Sequence, residues 1–208
     1  MINVKFLILL ITLIISSILS LYIYSEESKK EKNVHSDKSI KVLNRGEDSI
    51  TLKSGYEKIG TLQARKVESW IRETPSSSMR VAQYKLDYMK DNGQLVVFSG
   101  IGGSPDENIE RWYKQFKPES NLPIDETSLK WEIVKDKFEI KFVHFEGTFM
   151  KSDMRMNSVT EELKGHALLA AIISGADEPY YFKMTGPSSL IKSQKKVFES
   201  FIKSIDEL

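Results

Sequence analysis

Cysteine is absent from all 208 residues of this chain, and that absence removes several chemistries at once. There is no disulfide framework, no thiolate metal centre, no thiol nucleophile and no N-terminal cysteine to carry a lipid. The compartment stays open, because an oxidising environment permits disulfides without requiring them. Neither sign of charge is in excess: 30 Lys and Arg stand against 29 Asp and Glu, for a formal net charge of +1. Such a chain has no long-range field to gather nucleic acid or strongly acidic partners. Histidine is scarce, with three in all. None forms an H-x-x-x-H or H-x-H pair, whereas catalytic zinc needs three protein ligands. A G-x-S-x-G elbow is missing, so a hydrolase has no anchor. No internal repeat is present.

Long apolar runs are reduced to one, Phe6 to Ile23, broken only by Thr12, Ser16, Ser17 and Ser20. It is just long enough to cross a bilayer core as a helix. Its first part, Phe6 to Ile15, also has the length of a signal-peptide h-region, and the Ser-rich segment after it offers a cleavage zone. Ile18, however, fits the A-x-A pattern poorly. Residues 1–24 are therefore read as a membrane anchor or a signal peptide. Lys5 alone precedes the run, while Lys29, Lys30 and Lys32 follow it. The positive-inside bias taken literally keeps the domain cytoplasmic. A short, one-lysine flank is nevertheless the usual start of an exported protein, and export is the expectation.

After the run, Ser25 to Asp48 sets Lys29, Lys30, Lys32, Lys38, Lys41 and Arg45 against Glu26, Glu27, Glu31, Asp37, Glu47 and Asp48. With so few apolar side chains it cannot offset the entropy of ordering, and residues 25–54 read as a charged tether. His35 belongs to it as a solvated side chain. Residues 55–208 have the composition of one globular domain, about 150 residues, enough for a core of its own.

Within that domain Ala82, Tyr84, Leu86 and Tyr88 alternate with Gln83, Lys85 and Asp87. Asp91-Asn92-Gly93 supplies turn chemistry before Leu95 to Phe98, predicting a hairpin. Phe138, Ile140 and Phe142 alternate with Lys137, Glu139 and Lys141, and Gly147-Thr148-Phe149 continues beyond a bend. Leu168 to Ile173 and Tyr180 to Met184 form a third pair. Ser104-Pro105-Asp106-Glu107 is a capping box with proline at the first helical position. Ile109, Trp112, Tyr113 and Phe116 follow at i, i+3, i+4 and i+7, one apolar face. A second helix begins after Gly186-Pro187 and turns Leu190, Ile191, Val197, Phe198, Phe201, Ile202 and Ile205 inward. Runs of strands with isolated helices define an α+β class, an antiparallel sheet flanked by helices.

These residues carry a resemblance. Trp70, Pro75 to Arg80 with Ala82-Gln83, Gly102-Gly103 and Asn108 to Phe116 resemble an uncharacterised bacterial exported or lipoprotein family. Gly147-Thr148, the strand ending in Phe182-Lys183 and Gly186-Pro187 before the last helix fit it too. That family is similar to the PsbP-like fold, an α/β/α sandwich shared by the extrinsic photosystem protein PsbP and Ran-binding Mog proteins. The resemblance spans roughly Trp70 to Ile205 and implies binding or assembly without catalysis. This chain departs from the lipoprotein members in having no anchor cysteine, and its loop from Lys117 to Lys130 is long.

Other groupings are weighed against structural roles. Gly100-Ile101-Gly102-Gly103-Ser104 offers backbone amides to an anion but lacks Rossmann or P-loop spacing, and reads as a tight strand-to-helix turn. Met150, Met154 and Met156 form an M-x-x-x-M-x-M cluster on an expected loop, a soft donor set suited to Cu(I), although Met is also an adaptable packing residue. His144 with Glu146, and His166 at helical spacing from Glu162, lack a third ligand. Trp70, Trp112 and Trp131 read as core, since no basic stripe accompanies them.

The expectation is a non-catalytic, extracytoplasmic binding or assembly module with a possible protein partner, membrane contact through its N-terminal helix, no nucleic acid and no cofactor. Its candidate binding residues are Arg80, Arg111, Gln115, Gly102 and Gly103, which either brace loops or meet the partner. The alternative is a small-ligand or copper-binding protein, or an enzyme, with a pocket assembled from residues distant in sequence.

Overall fold

The computed structural model of the protein describes residues 51–88, 91–153 and 158–208, the side chains of 87, 88, 91, 152, 153 and 158–160 excepted. The apolar run Phe6 to Ile23 and most of the charged tether lie outside the described residues. Among the described ones no helix is long and apolar enough to cross a membrane.

The elements run β1 (Tyr56–Ile59), β2 (Leu62–Arg65), β3 (Trp70–Glu73), β4 (Arg80–Tyr88), β5 (Asp91–Ser99), α1 (Pro105–Tyr113), β6 (Phe116–Lys117), α2 (Ile124–Thr127), β7 (Leu129–Lys135), β8 (Phe138–Asp153), β9 (Ser158–Ser174), β10 (Tyr180–Pro187), α3 (Ser188–Lys203) and β11 (Asp206–Glu207). An eight-stranded sheet has the order β3-β4-β5-β10-β9-β8-β6, with β7 on the same edge of β8. Its pairings are antiparallel. A small second sheet has the order β1-β2-β11.

Period-two alternation sorts the large sheet into two cores. On one face Tyr84, Leu95, Val97, Phe142, Leu169, Ala171 and Phe182 pack with Ile191, Phe198, Phe201 and Ile202 of α3, and β1 and β2 close this side with Ile59 and Leu62. On the other face Val143, Phe145, Leu168, Ala170, Ile172 and Tyr181 pack with Ile109, Trp112 and Tyr113 of α1, with Phe116 and with Ile124. Helices thus lie on both faces. Each buried Leu, Ile or Phe contributes about 1.5–3 kcal/mol of transfer free energy. The Ala167–Ile173 half of β9 is apolar on both faces because both are covered there.

The first hairpin reverses between Tyr88 and Asp91, which pair with each other. Asp91-Asn92-Gly93, expected as the turn, is instead the start of β5. Glycine serves close approach there: a Cβ on Gly93 would lie 2.8 Å from Leu190 Cδ2 and 3.1 Å from the Thr185 carbonyl oxygen. The turn signal was therefore a packing signal. α1 keeps its expected start, with Ser104 Oγ accepting from the Glu107 amide and the Glu107 carboxylate accepting from the Ser104 amide. It ends at Tyr113, three residues earlier than the apolar spacing suggested. Phe116 reaches the same core from β6, because pairing with Phe149 replaces a further helical turn. The long loop from Lys117 to Lys130 contains α2.

Candidate binding site

The five candidate residues fall into two neighbouring groups on the face of the sheet that carries α1. In the first, Arg111 Nη2 donates to the Gly102 carbonyl oxygen and to Asn108 Oδ1, the latter at 2.6 Å. Asn108 Nδ2 donates to the Ser104 carbonyl at 3.0 Å, and the Tyr181 hydroxyl reaches the Gly103 carbonyl at 3.4 Å. Gly103 has φ +92°, a left-handed conformation, and a Cβ there would lie 2.8 Å from Arg111 Nη2. The Gly102-Gly103 turn and Arg111 thus brace the start of α1. An open cavity of about 610 Å³ beside them is lined by Gly102, Gly103, Asp106, Glu107, Glu110, Arg111 and Lys114. Three carboxylates on that rim oppose an anionic ligand.

The second group forms around a residue the sequence reading did not single out as a site, Lys183. It occupies the central strand β10 on the α1 face, opposite Val96 of β5 and Ala170 of β9. Its Nζ donates to Gln115 Oε1 at 2.5 Å and lies 6.0 Å from the centre of the Phe149 ring. Gln115 is held by its backbone: its amide donates to the Trp112 carbonyl and its carbonyl accepts from the Met150 amide. Burial first, then the positive charge of Arg80, lowers the Lys183 amine from its ordinary 10.5 to about 8. The signal in the sequence was a lone cation inside the otherwise apolar strand Tyr180–Pro187.

Arg80 reaches this face through an irregularity. Ala82 pairs with Val97 but Arg80 pairs with Phe98, so the register slips by one residue at Val81. Without that bulge Arg80 would share the face of Ala82 and Tyr84 and enter the α3 core. With it, Arg80 is turned onto the side of Phe98, Tyr181 and Lys183. Its Nη1 donates to Gln83 Oε1 at 2.7 Å, and Gln83 Nε2 donates to Glu73 at 2.9 Å. Partial burial lowers its pKa as well. Among the described residues neither Arg80 nor Lys183 has a carboxylate within ion-pair distance. Each is oriented by a glutamine instead.

Other candidates are dispersed. His144 and Glu146 line a cavity of about 460 Å³ with Pro118, Glu119, Ser120, Ile124, Thr127, Leu129 and Phe145. Burial lowers the His144 pKa, partly opposed by Glu146. The Glu119 carboxylate is taken by the Thr148 hydroxyl and the Gly165 amide. His166 lies in strand β9, so its spacing from Glu162 is not helical. Among the described residues no three His, Asp or Glu come together as metal ligands. Met150 lies in strand β8 rather than a loop, and Met154 and Met156 lie outside the described residues. The tryptophans pack: Trp112 and Trp70 are buried, and Trp131 stacks on Phe142 at 5.0 Å beneath the Lys195 amine at 4.5 Å.

No protein-family model matches this chain, and no curated relative does. Among solved structures, the solution structure of cyanobacterial PsbP (CyanoP) from Synechocystis sp. PCC 6803 is similar. Identity is 10%, the match covers 79% of this chain and 99% of that one, and the TM-score is 0.45.

Proposed function

We propose that this chain is a non-catalytic binding or assembly module, held at or exported across a membrane by its N-terminal apolar run, which docks a protein partner on the half of its sheet that α1 leaves open. The observation supporting this is the unequal covering of the two faces. α3 and the small sheet close one face. On the other, α1 and α2 pack with β8, β9, Tyr181 of β10 and Phe98 of β5, while among the described residues no helix packs on β3 and β4 on this side. Ile71 stands on that face, 52% exposed, in line with Glu73, Arg80 and Gln83, and Met79, 53% exposed, precedes β4. A surface of polar groups around a few apolar side chains is the anatomy of a protein interface.

The experiment is crosslinking of intact cells with a membrane-impermeant reagent, followed by recovery of the full chain. The expected result is a defined crosslinked species that is lost in Ile71→Asp while the variant keeps its unfolding midpoint. Crosslinking that persists unchanged in Ile71→Asp places the partner elsewhere. Failure of the reagent to reach the wild-type chain overturns export.

A small-ligand reading rests on the cavity lined by His144 and Glu119. Glu119 is already spent on internal hydrogen bonds there, which makes this the weaker account.

A further inference from the structure

Lys183 and Arg80 share one surface, and each is held by a neutral acceptor. Gln115 Oε1 takes a hydrogen bond from the Lys183 amine at 2.5 Å, and Gln83 Oε1 takes one from Arg80 Nη1 at 2.7 Å. A glutamine fixes the direction of a cation without cancelling its charge, whereas a carboxylate does both. The nearest acid in the chain of hydrogen bonds, Glu73, is one step removed, bound to Gln83 Nε2 at 2.9 Å. The Lys183 side chain rises between Val96, 3% exposed, and fully buried Ala170. Two like charges stand together where solvent screens them incompletely, an arrangement costly by itself and relieved by an anion. The ammonium carries three donors and the guanidinium five, so most remain available after the two glutamines are served.

We infer that the Arg80–Lys183 pair receives a carboxylate carried by an acidic side chain of the docked protein, with Gln83 and Gln115 as positioning residues that aim the two cations while leaving them charged. This rests on the docking reading above. Charge complementarity selects the occupant: Arg80 lies on the sheet face that carries exposed Ile71, and Lys183 of the central strand β10 lies on the same face, at the border of the part that α1 covers. The chain's net charge of +1 leaves recognition local, with two cations meeting one acidic group.

The test uses the full chain in non-ionic detergent and a fluorescent, end-capped peptide containing three glutamates, compared with its glutamine counterpart by anisotropy. The glutamate peptide is expected to bind about tenfold or more tightly than the glutamine peptide. Lys183→Met and Arg80→Gln are each expected to lose about tenfold in affinity, while Lys183→Arg keeps most of it. Gln115→Leu, which keeps the charge but not its direction, falls between. Equal binding of the two peptides, or unchanged binding in both Lys183→Met and Arg80→Gln, overturns the inference. So does response to inorganic phosphate or phosphatidylglycerol vesicles with none to the glutamate peptide, since the site then serves a phosphate. Cell crosslinking separates this failure from failure of the docking reading. Loss in Ile71→Asp with retention in Lys183→Met and Arg80→Gln keeps the docking face and removes the carboxylate; retention in all three removes both.

Discussion

Lys183 shows how one residue sets a conflict between stability and recognition. Its amine titrates near 8 in the folded chain and near 10.5 when free, so between those values the unfolded chain holds more protons. Stability attributable to this group therefore rises with pH through that window, and below about pH 8 the full cost of burying the charge is present. At roughly 1.4 kcal/mol per pH unit the cost is on the order of 3 kcal/mol. Lys183→Met keeps the apolar stem and discards the charge. It is expected to be more stable than the wild type by about 1–3 kcal/mol at pH 7, with the advantage shrinking towards pH 10. Urea unfolding at the two pH values measures this. A residue kept purely for packing would show the same loss of stability on substitution at both. Lys183 was legible as an anomaly, a cation in an apolar run. Gln115 and Arg80 were named from the sequence as candidates, but their meeting with Lys183 was not legible, because it depends on three separated elements.

At the scale of elements, local signals were readable and tertiary ones were not. The capping box at Ser104 acts within four residues, so the sequence declares it and the structure contains it. The alternation in β4 declared Ala82, Tyr84 and Leu86 as core, but the bulge that turns Arg80 to the opposite face is a property of the pairing between β4 and β5. Asn92-Gly93 resembled a hairpin turn because glycine is ambiguous between conformational freedom and close approach, and contact with Leu190, nearly a hundred residues away, decides it. Likewise Phe116 continued the apolar stripe of α1 in sequence, yet β8 captures it as a strand. The α1 assignment makes a graded prediction. Trp112→Ala is expected to cost about 3–5 kcal/mol and Ser104→Ala about 1, with Lys114→Ala under roughly 0.5. Chemical denaturation of the three variants checks the order, and near-equal losses would contradict the burial of Trp112 against Tyr181, whose rings stand edge to face at 6.4 Å.

Across the whole molecule, the closed face depends on joining the small sheet to the large one, and the chain's last residues do this through charge. β11 adds to β2 by pairing Asp206 with Gln63 and Glu207 with Leu62. The Asp206 carboxylate then takes Lys53, just ahead of β1, and Lys135 at the end of β7, the latter at 2.9 Å. Lys135 also donates to the Ile205 carbonyl at 2.5 Å, and Lys137 pairs with Glu207. One carboxylate thus links the strand that opens the small sheet, the strand that closes it and the rim of the large sheet. Hydrogen bonds from Lys53 and then Lys135 hold its pKa below the usual 3.8. A depressed carboxylate contributes stability that is present above pH 3.8 and is lost as pH falls through the lower folded value. Asp206 is partly exposed, so its contribution is that of a screened pair network, about 1 kcal/mol. Asp206→Asn is expected to lower the unfolding midpoint at pH 6 and to lose this difference from the wild type progressively as pH falls below 3.8 through the folded carboxylate's lower value. The same substitution should leave glutamate-peptide binding at Arg80 and Lys183 unchanged, because the clamp and the two cations lie on opposite faces of the large sheet. Thermal unfolding from pH 6 down into the acid range, run beside the anisotropy titration, tests both halves; a midpoint gap that does not narrow as pH falls below 3.8 would mean that Asp206 acts through packing rather than through its charge.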